Sequence, residues 1–244
     1  KVKFRDNSTL QYSQLLIATG SRPRELTCPG SSLQNVFLLR SPDDANAISE
    51  AAIGKNVVIM GTSFIGMEVA AFLSDKASSV SVIGRSEFPF QAVLGPKVGE
   101  VAMKLHNSHI TRTHCYITIC MICSDSNVRE VVLRNGSKLP ADVVVAGIGL
   151  PPPPTETSLK GARSQQFLLP CPFMRTSVPD VYAAGDVVSF PLSIMEGHRV
   201  NIGHWQMAHS HGRIAALNML NKQVPVDSVP FFWTSLLGKS LRYT

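Results

Sequence analysis

The residues best suited to chemistry are a glycine-bearing turn, Gly61-Thr62-Ser63-Phe64-Ile65-Gly66, and a strand-ending carboxylate, Asp186 in the string VYAAGD. The turn follows the apolar run Asn56-Val57-Val58-Ile59-Met60 and opens an apolar helical stretch. At such a junction the unpaired backbone N–H groups of the first helical turn can cradle a pyrophosphate. Gly61 suits the tight turn and Gly66 suits close packing of helix on strand, while Ser63 stands at the middle glycine position and narrows the space. Taken alone, the turn is equally an ordinary strand–turn–helix with incidental glycines. Asp186 closes the stretch from Thr176, in which Val178, Val181 and Tyr182 predict a buried strand and Ala183 and Ala184 admit a close ligand backbone. Its carboxylate can accept hydrogen bonds from ligand hydroxyls; a plain turn after a core strand is the alternative.

Nucleotide preference is set about 20 residues beyond the glycine turn, where an acid at the end of the second strand takes the ribose 2′-hydroxyl. Here that strand reads Ser79-Val80-Ser81-Val82-Ile83 and is followed by Gly84 and Arg85, so no acid is available. Arg85 either pairs with a 2′-phosphate through its planar guanidinium or is a solvated loop residue. His204, His209 and His211 cluster near the start of a helix expected over Gly212 to Leu220, but no carboxylate or cysteine lies in that segment to complete a metal site. The Cys120-Met121-Ile122-Cys123 string follows the glycine turn inside an apolar run, which raises thiol pKa values and favours a structural role over a redox-active disulfide.

The elements that must position these residues alternate along the chain. Strands are expected over 36–39, 56–60, 79–83 and 143–145, and helices from the Ser41-Pro42-Asp43-Asp44 start and over 66–75 and 97–106. A strand pair around Val2 to Tyr12, turning at Asp6-Asn7, leads into Leu15-Leu16-Ile17. This is a doubly wound α/β pattern, broken at Pro151 to Pro154. With 244 residues, 44% hydrophobic and 16% charged, the chain has ample material for a core. The net charge of +6 comes from scattered Lys and Arg, which fits a solvated surface or an anionic cofactor better than a nucleic-acid patch. Five irregularly spaced cysteines suit a reducing compartment. The longest apolar runs fall far below the roughly 20 residues that cross a bilayer. The chain starts at Lys1 inside a strand pair and ends just past a strand-like stretch at Phe231 to Trp233, so both ends read as cut and a targeting signal is not legible.

The strings LLIATGSRPR, VVIMGTSFIGMEVAA, ADVVVAGIG, MRTSVPDVYAAGD and HWQMAHSHGRIAALNML, in that order, resemble the apoptosis-inducing factor family, in particular its Rieske-linked mitochondrial branch, within the wider FAD-dependent ferredoxin-reductase-type enzymes. The resemblance covers most of the chain and is weak at 107–128 and 151–172. It implies an α/β fold of two dinucleotide-binding, Rossmann-like domains of the FAD/NAD(P) oxidoreductase type, with the FAD domain discontinuous and incomplete. Residues 1–40 would be one part of the FAD-binding domain, 41–150 the NAD(P)-binding domain, 151–225 the second FAD part, and 226–244 the start of a truncated C-terminal domain.

Residue by residue, the resemblance puts Thr19, Gly20 and Arg22 beside the flavin, Gly185 and Asp186 at its ribityl chain, and His204 and Trp205 near the isoalloxazine. Gly61, Ser63, Phe64, Gly66 and Glu68 would line the nicotinamide nucleotide, with Phe64 close to the nicotinamide ring; Arg85 and Gly149 complete the cofactor-binding set. No catalytic side chain is required, because the cofactors carry the reaction. Hydride would pass from NAD(P)H to FAD, and electrons on to an iron–sulfur acceptor such as a Rieske domain, in a mitochondrial protein with no membrane span. The alternative is a truncated or degenerate nucleotide-binding protein without catalysis. A basic apoptotic effector that contacts DNA is a third reading, resting on family analogy and charge alone.

Overall fold

The computed structural model describes residues 1–106, 112–115, 120–124, 126–150 and 168–244, with His106, 112–115 and 120–124 described by backbone alone. The side chains of Cys120 and Cys123 and the Pro151 to Pro154 linker therefore lie outside the described residues.

In chain order the first elements are β1 (Val2–Lys3), β2 (Thr9–Leu10), β3 (Leu15–Ile17), β4 (Val36–Leu38), α1 (Pro42–Ala52), β5 (Asn56–Met60), α2 (Phe64–Leu73) and β6 (Ser79–Gly84). They are followed by α3 (Gln91–His106), β7 (Arg112–Cys115), β8 (Cys120–Ser124), β9 (Asn127–Val132), β10 (Lys138–Pro140), β11 (Val143–Ala146) and β12 (Val181–Ala183). β13 (Phe190–Pro191), β14 (Arg199–Val200), α4 (Trp205–Met219), β15 (Phe232–Leu236) and β16 (Lys239–Tyr243) complete the chain.

These elements form two compact units, one of residues 1–22 with 150–231 and one of 23–149 with 232–243. In the second unit five parallel strands run in the order β4-β11-β5-β6-β7, beside an antiparallel sheet β10-β9-β8. Parallel strands covered on both faces need apolar residues at every position, which is why β5 reads Val-Val-Ile-Met without alternation. Val57 and Ile59 face one core with Ile48 and Ala52 of α1 and Met67, Ala70 and Leu73 of α2. Val58 and Met60 face the other, where Val128, Val131, Leu133 and Leu139 bring in the antiparallel sheet.

Local signals set several boundaries. Ser41 caps α1: its hydroxyl accepts from the Asp44 N–H, and the Asp44 carboxylate accepts from the Ser41 N–H at 2.8 Å, with Pro42 in the first turn. This reciprocal pair satisfies two of the four unpaired donors of a helix start. The helix expected at 97–106 begins earlier, at Gln91, with a break at Gly95 (φ 80°) and Pro96. Proline removes a helical N–H and clashes with the preceding turn.

The first boundary between the two compact units falls at Arg22/Pro23, where the pairing of β4 with β11 draws its preceding loop to the five-stranded sheet. Residues 232–243 form the hairpin β15–β16, with Leu236 and Leu241 in the core of the second unit.

In the first unit the chain returns after more than 160 residues to lay β12 parallel to β3, pairing Val181 with Leu15 and Ala183 with Ile17. The buried strand is shorter than the sequence predicts. Val178 lies outside it, 36% exposed, in a turn held by hydrogen bonds to and from the Thr176 hydroxyl.

Candidate functional site

Each unit presents one group of candidate residues. In the first, both strands of the β3–β12 pair end on a turn. After β3, Gly20 takes φ 72° and swings Ser21 inward; Ser21 is buried, whereas Thr19 and Arg22 are exposed. After β12, Ala184 donates to the Ile17 carbonyl and Gly185, at φ 80°, starts a short 3-10 turn that carries Asp186. The two turns meet where the Ser21 hydroxyl donates to one carboxylate oxygen of Asp186 at 2.8 Å. Around this pair, Asn201 donates to the Asp186 carbonyl at 2.9 Å and to the Val188 carbonyl at 2.7 Å, holding the turn in place. A side chain at Gly203 would stand 3.7–3.9 Å from the carboxylate, so the chain entering α4 passes directly over it.

α4 starts at Trp205, seven residues before the expected Gly212, because His204 caps it: the imidazole Nδ1 accepts from the Gln206 N–H at 3.3 Å. Its buried stripe is Met207, His211, Ile214, Ala215 and Asn218. This spacing of three and four residues selects the face turned inward. Trp205 falls off the stripe and is 56% exposed, with its ring edge-on to His209. His211 lies on it at 1% exposed, not on a polar helix surface as its type suggests. Its ring meets Phe190 edge-on, with 4.4 Å between ring centres, and neither nitrogen has a hydrogen-bond partner among the described residues. Burial pushes its pKa down to about 4 against a smaller upward pull from Asp186, so the imidazole is neutral at ordinary pH.

In the second unit the glycine turn is an interlock of backbones. A Cβ on Gly66 would lie 1.9 Å from the Gly61 carbonyl oxygen, one on Gly61 2.2 Å from the Gly147 carbonyl oxygen, and one on Gly147 2.8 Å from the Gly66 nitrogen. Three glycines from the end of β5, the start of α2 and the end of β11 thus pack main chain on main chain. Gly61 also needs its φ of 119°, closed to side-chain-bearing residues without strain. Ser63 is the exposed cap residue of α2, yet its side chain makes no capping hydrogen bond. Ser63 therefore supplies no side-chain acceptor to the first N–H groups of α2, and a helix start left uncapped in this way suits an anion.

Gly84 has a specific cause: its Cβ would sit 2.2 Å from the Thr62 methyl, so no acidic side chain fits there while Thr62 occupies the turn. Arg85, the next residue, is exposed. Gly149 takes φ 104° beyond β11, and its carbonyl accepts from the Arg24 N–H. Phe64 and Glu68, one helical turn apart on α2, both engage the β15–β16 hairpin. The Phe64 ring stacks on Tyr243 at 9° with 5.3 Å between centres, and the Glu68 carboxylate accepts from the Thr234 hydroxyl.

The structure thus groups Gly20, Gly185 and Asp186 with the helix cap His204 in one unit, and Gly61, Ser63, Phe64, Gly66, Glu68, Arg85 and Gly149 in the other. Residues missed from the sequence are Ser21, Asn201 and Gly203 around Asp186, and Thr62, Gly147, Thr234 and Tyr243 around the glycine turn. The signals available for two of them were a hydroxyl directly after the ATG string and a second glycine in AGIG.

Over 246 aligned positions the chain is 44% identical to Apoptosis-inducing factor 3 of Mus musculus, an alignment covering 100% of this chain and 41% of that protein. The chain therefore spans less than half the length of that relative. Its fold is similar to a ferredoxin reductase from Rhodopseudomonas palustris, with TM-score 0.90 at 27% identity over 98% of this chain and 59% of that one. It is also similar to putidaredoxin reductase in a covalent complex with putidaredoxin, with TM-score 0.86 at 28% identity over 97% of this chain and 58% of that one. The parallel α/β architecture is that of the FAD- and NAD(P)-dependent reductases. Residues 1–212 match the family described as pyridine nucleotide-disulphide oxidoreductase, and the chain belongs to that family.

Proposed function

We propose that the chain is the nucleotide-binding part of an FAD-dependent NAD(P)H oxidoreductase that delivers electrons to a ferredoxin-type iron–sulfur protein. The observation that carries this is the return of β12 to β3, which sets the Asp186 carboxylate against Ser21 between two glycine-bearing turns. One oxygen of Asp186 is occupied by Ser21, leaving the other to accept from a hydroxyl-rich chain such as the ribityl of FAD. The close backbone at Gly203 and the small buried Ala183 and Ala184 admit such a chain without a steric barrier.

Bound FAD supplies the chemistry of accepting a hydride from a nicotinamide and releasing its two electrons singly. The protein supplies binding, orientation and electrostatics. Thr19, Gly20 and Arg22 flank the flavin in this reading, with Gly185 and Asp186 on the ribityl side and His204 and Trp205 at the isoalloxazine. The free N–H groups at the start of α2 take the pyrophosphate of NAD(P)H, Phe64 and Glu68 lie at its nicotinamide end, Arg85 near its adenosine ribose, and Gly149 beside the same turn. The domain reading is correspondingly an FAD-binding unit of residues 1–22 with 150–231 and an NAD(P)-binding unit of 23–149 with 232–243.

Two finer parts rest on the motif resemblance alone: a Rieske-type cluster of the same parent protein as acceptor, and residence in the mitochondrion with a link to apoptosis. No helix among the described residues is long and apolar enough to cross a membrane.

The test is anaerobic addition of NADH to the full-length protein that carries this chain, reconstituted with FAD, followed by its flavin absorbance, with an Asp186→Asn variant alongside. Bleaching of the flavin, with weaker FAD binding by the variant, is the expected result. Failure to bind FAD, or binding without any bleaching, would leave a nucleotide-binding protein without catalysis.

A further inference from the structure

The hairpin β15–β16 packs on the face of α2 that carries Phe64 and Glu68, and it does so with polar and aromatic groups as well as core leucines. Thr234 is 1% exposed, and its hydroxyl donates to the Glu68 carboxylate. Tyr243 is half-buried and stacks flat on Phe64, while Phe90 closes on the same Phe64 ring at 5.2 Å and Phe232 on Tyr243 at 5.2 Å. Burial and the neighbouring Glu68 charge push the Tyr243 hydroxyl up to about 12, so Tyr243 stays neutral and adds no charge beside Glu68. Phe64 therefore contacts two aromatic rings, and Glu68 has its carboxylate tied by one charge-assisted hydrogen bond.

We propose that Thr234 and Tyr243 are positioning residues for the nicotinamide end of the bound nucleotide, acting through Glu68 and Phe64. This rests on the reading that the glycine turn binds NAD(P)H with Phe64 and Glu68 at its nicotinamide end. The two act on separate atoms of one surface. Tyr243 sets the plane of the Phe64 ring, which makes that ring a fixed platform rather than a side chain free to swing. Thr234 sets which way the Glu68 carboxylate points, and so where an amide or ribose hydroxyl donor must lie to reach it. Neither touches the first N–H groups of α2, so the pyrophosphate and adenosine half of the nucleotide is recognised independently of the hairpin.

That separation supplies the test. The purified chain and its Thr234→Val, Thr234→Ser, Tyr243→Leu and Tyr243→Phe variants are titrated with NADH and, in parallel, with ADP, which carries the same pyrophosphate and adenosine but neither the nicotinamide nor its ribose. Thr234→Val and Tyr243→Leu are expected to weaken NADH about tenfold each, the loss of one charge-assisted hydrogen bond or one aromatic stack. ADP affinity stays within about twofold in all variants, and Thr234→Ser and Tyr243→Phe bind NADH like the parent. Equal weakening of both ligands would show that the hairpin acts only through the fold, and unchanged NADH binding would show that it does not position the site; either overturns the inference while the nucleotide reading stands. A parent chain that binds neither ligand would overturn both.

Discussion

Replacing Gly66 by Ala tests the glycine interlock with a single methyl group. Its φ lies in the ordinary range for side-chain-bearing residues, so on helix propensity alone alanine should stabilise α2 by about 1 kcal/mol. Packing decides otherwise. The new Cβ would stand 1.9 Å from the Gly61 carbonyl oxygen, where ordinary contact begins at 3.4 Å, so strand and helix must part by about 1.5 Å. The opposing atom is backbone at the end of β5 and cannot rotate away as a side chain could. Gly61 is itself wedged against Gly147, which transmits the displacement to β11. Overpacking costs about 1–3 kcal/mol where neighbours can yield and about 3–5 kcal/mol against rigid backbone, which after the roughly 1 kcal/mol propensity gain puts the net loss at about 2–4 kcal/mol.

The assay is urea unfolding followed by circular dichroism, with Gly212→Ala as reference. Gly212 lies inside α4 with nothing within 4 Å of its Cβ position, so there alanine should gain roughly 0.5–1 kcal/mol. The two glycines should move stability in opposite directions. A Gly66→Ala protein within about 0.5 kcal/mol of the parent would refute the interlock, since it would show that α2 can leave β5 at little cost.

Ser21→Ala leaves the Asp186 carboxylate without its buried donor and should cost about 1.5–3 kcal/mol of stability by urea titration, together with weaker FAD binding measured by flavin fluorescence. His211 makes stability pH-dependent. Its folded pKa of about 4 lies below the ordinary 6.5, so as pH falls the unfolded chain binds the proton first. Stability present above pH 6.5 is then lost progressively down to about pH 4, by about 3 kcal/mol, and a His211→Gln protein should lack that slope in unfolding curves taken across the interval. Arg85→Ala should weaken NADPH by roughly 1.5–3 kcal/mol in calorimetric titration and leave NADH unchanged; equal loss for both, or none for either, would make Arg85 a bystander.

Much of the scaffold was legible because its signals are local. The uninterrupted apolar run of β5 announces a strand buried on both faces, Ser41-Pro42-Asp43-Asp44 contains the whole capping arrangement of α1, and the glycine turn announces a strand-to-helix junction. The order of the ATG, GTSFIG and AAGD strings also carried the expectation that the chain leaves one sheet and returns to it, and β12 does lie on β3.

What sequence could not decide depends on which distant atoms meet. His211 and Trp205 share one helix, and their types suggest a surface histidine and a core tryptophan; the inward stripe of α4 reverses both. Gly84 looked like the loss of an acid, but only the fold shows that the Thr62 methyl already occupies the space. The contact of the hairpin at 232–243 with α2 was not legible, because its partners lie more than 160 residues earlier and no periodicity or cap reports a contact at that range. Local hydrogen bonding and hydrophobic pattern determine where elements start and which faces they bury. Side-chain volume and main-chain approach, settled only when the elements pack, determined which residues surround Asp186 and the glycine turn.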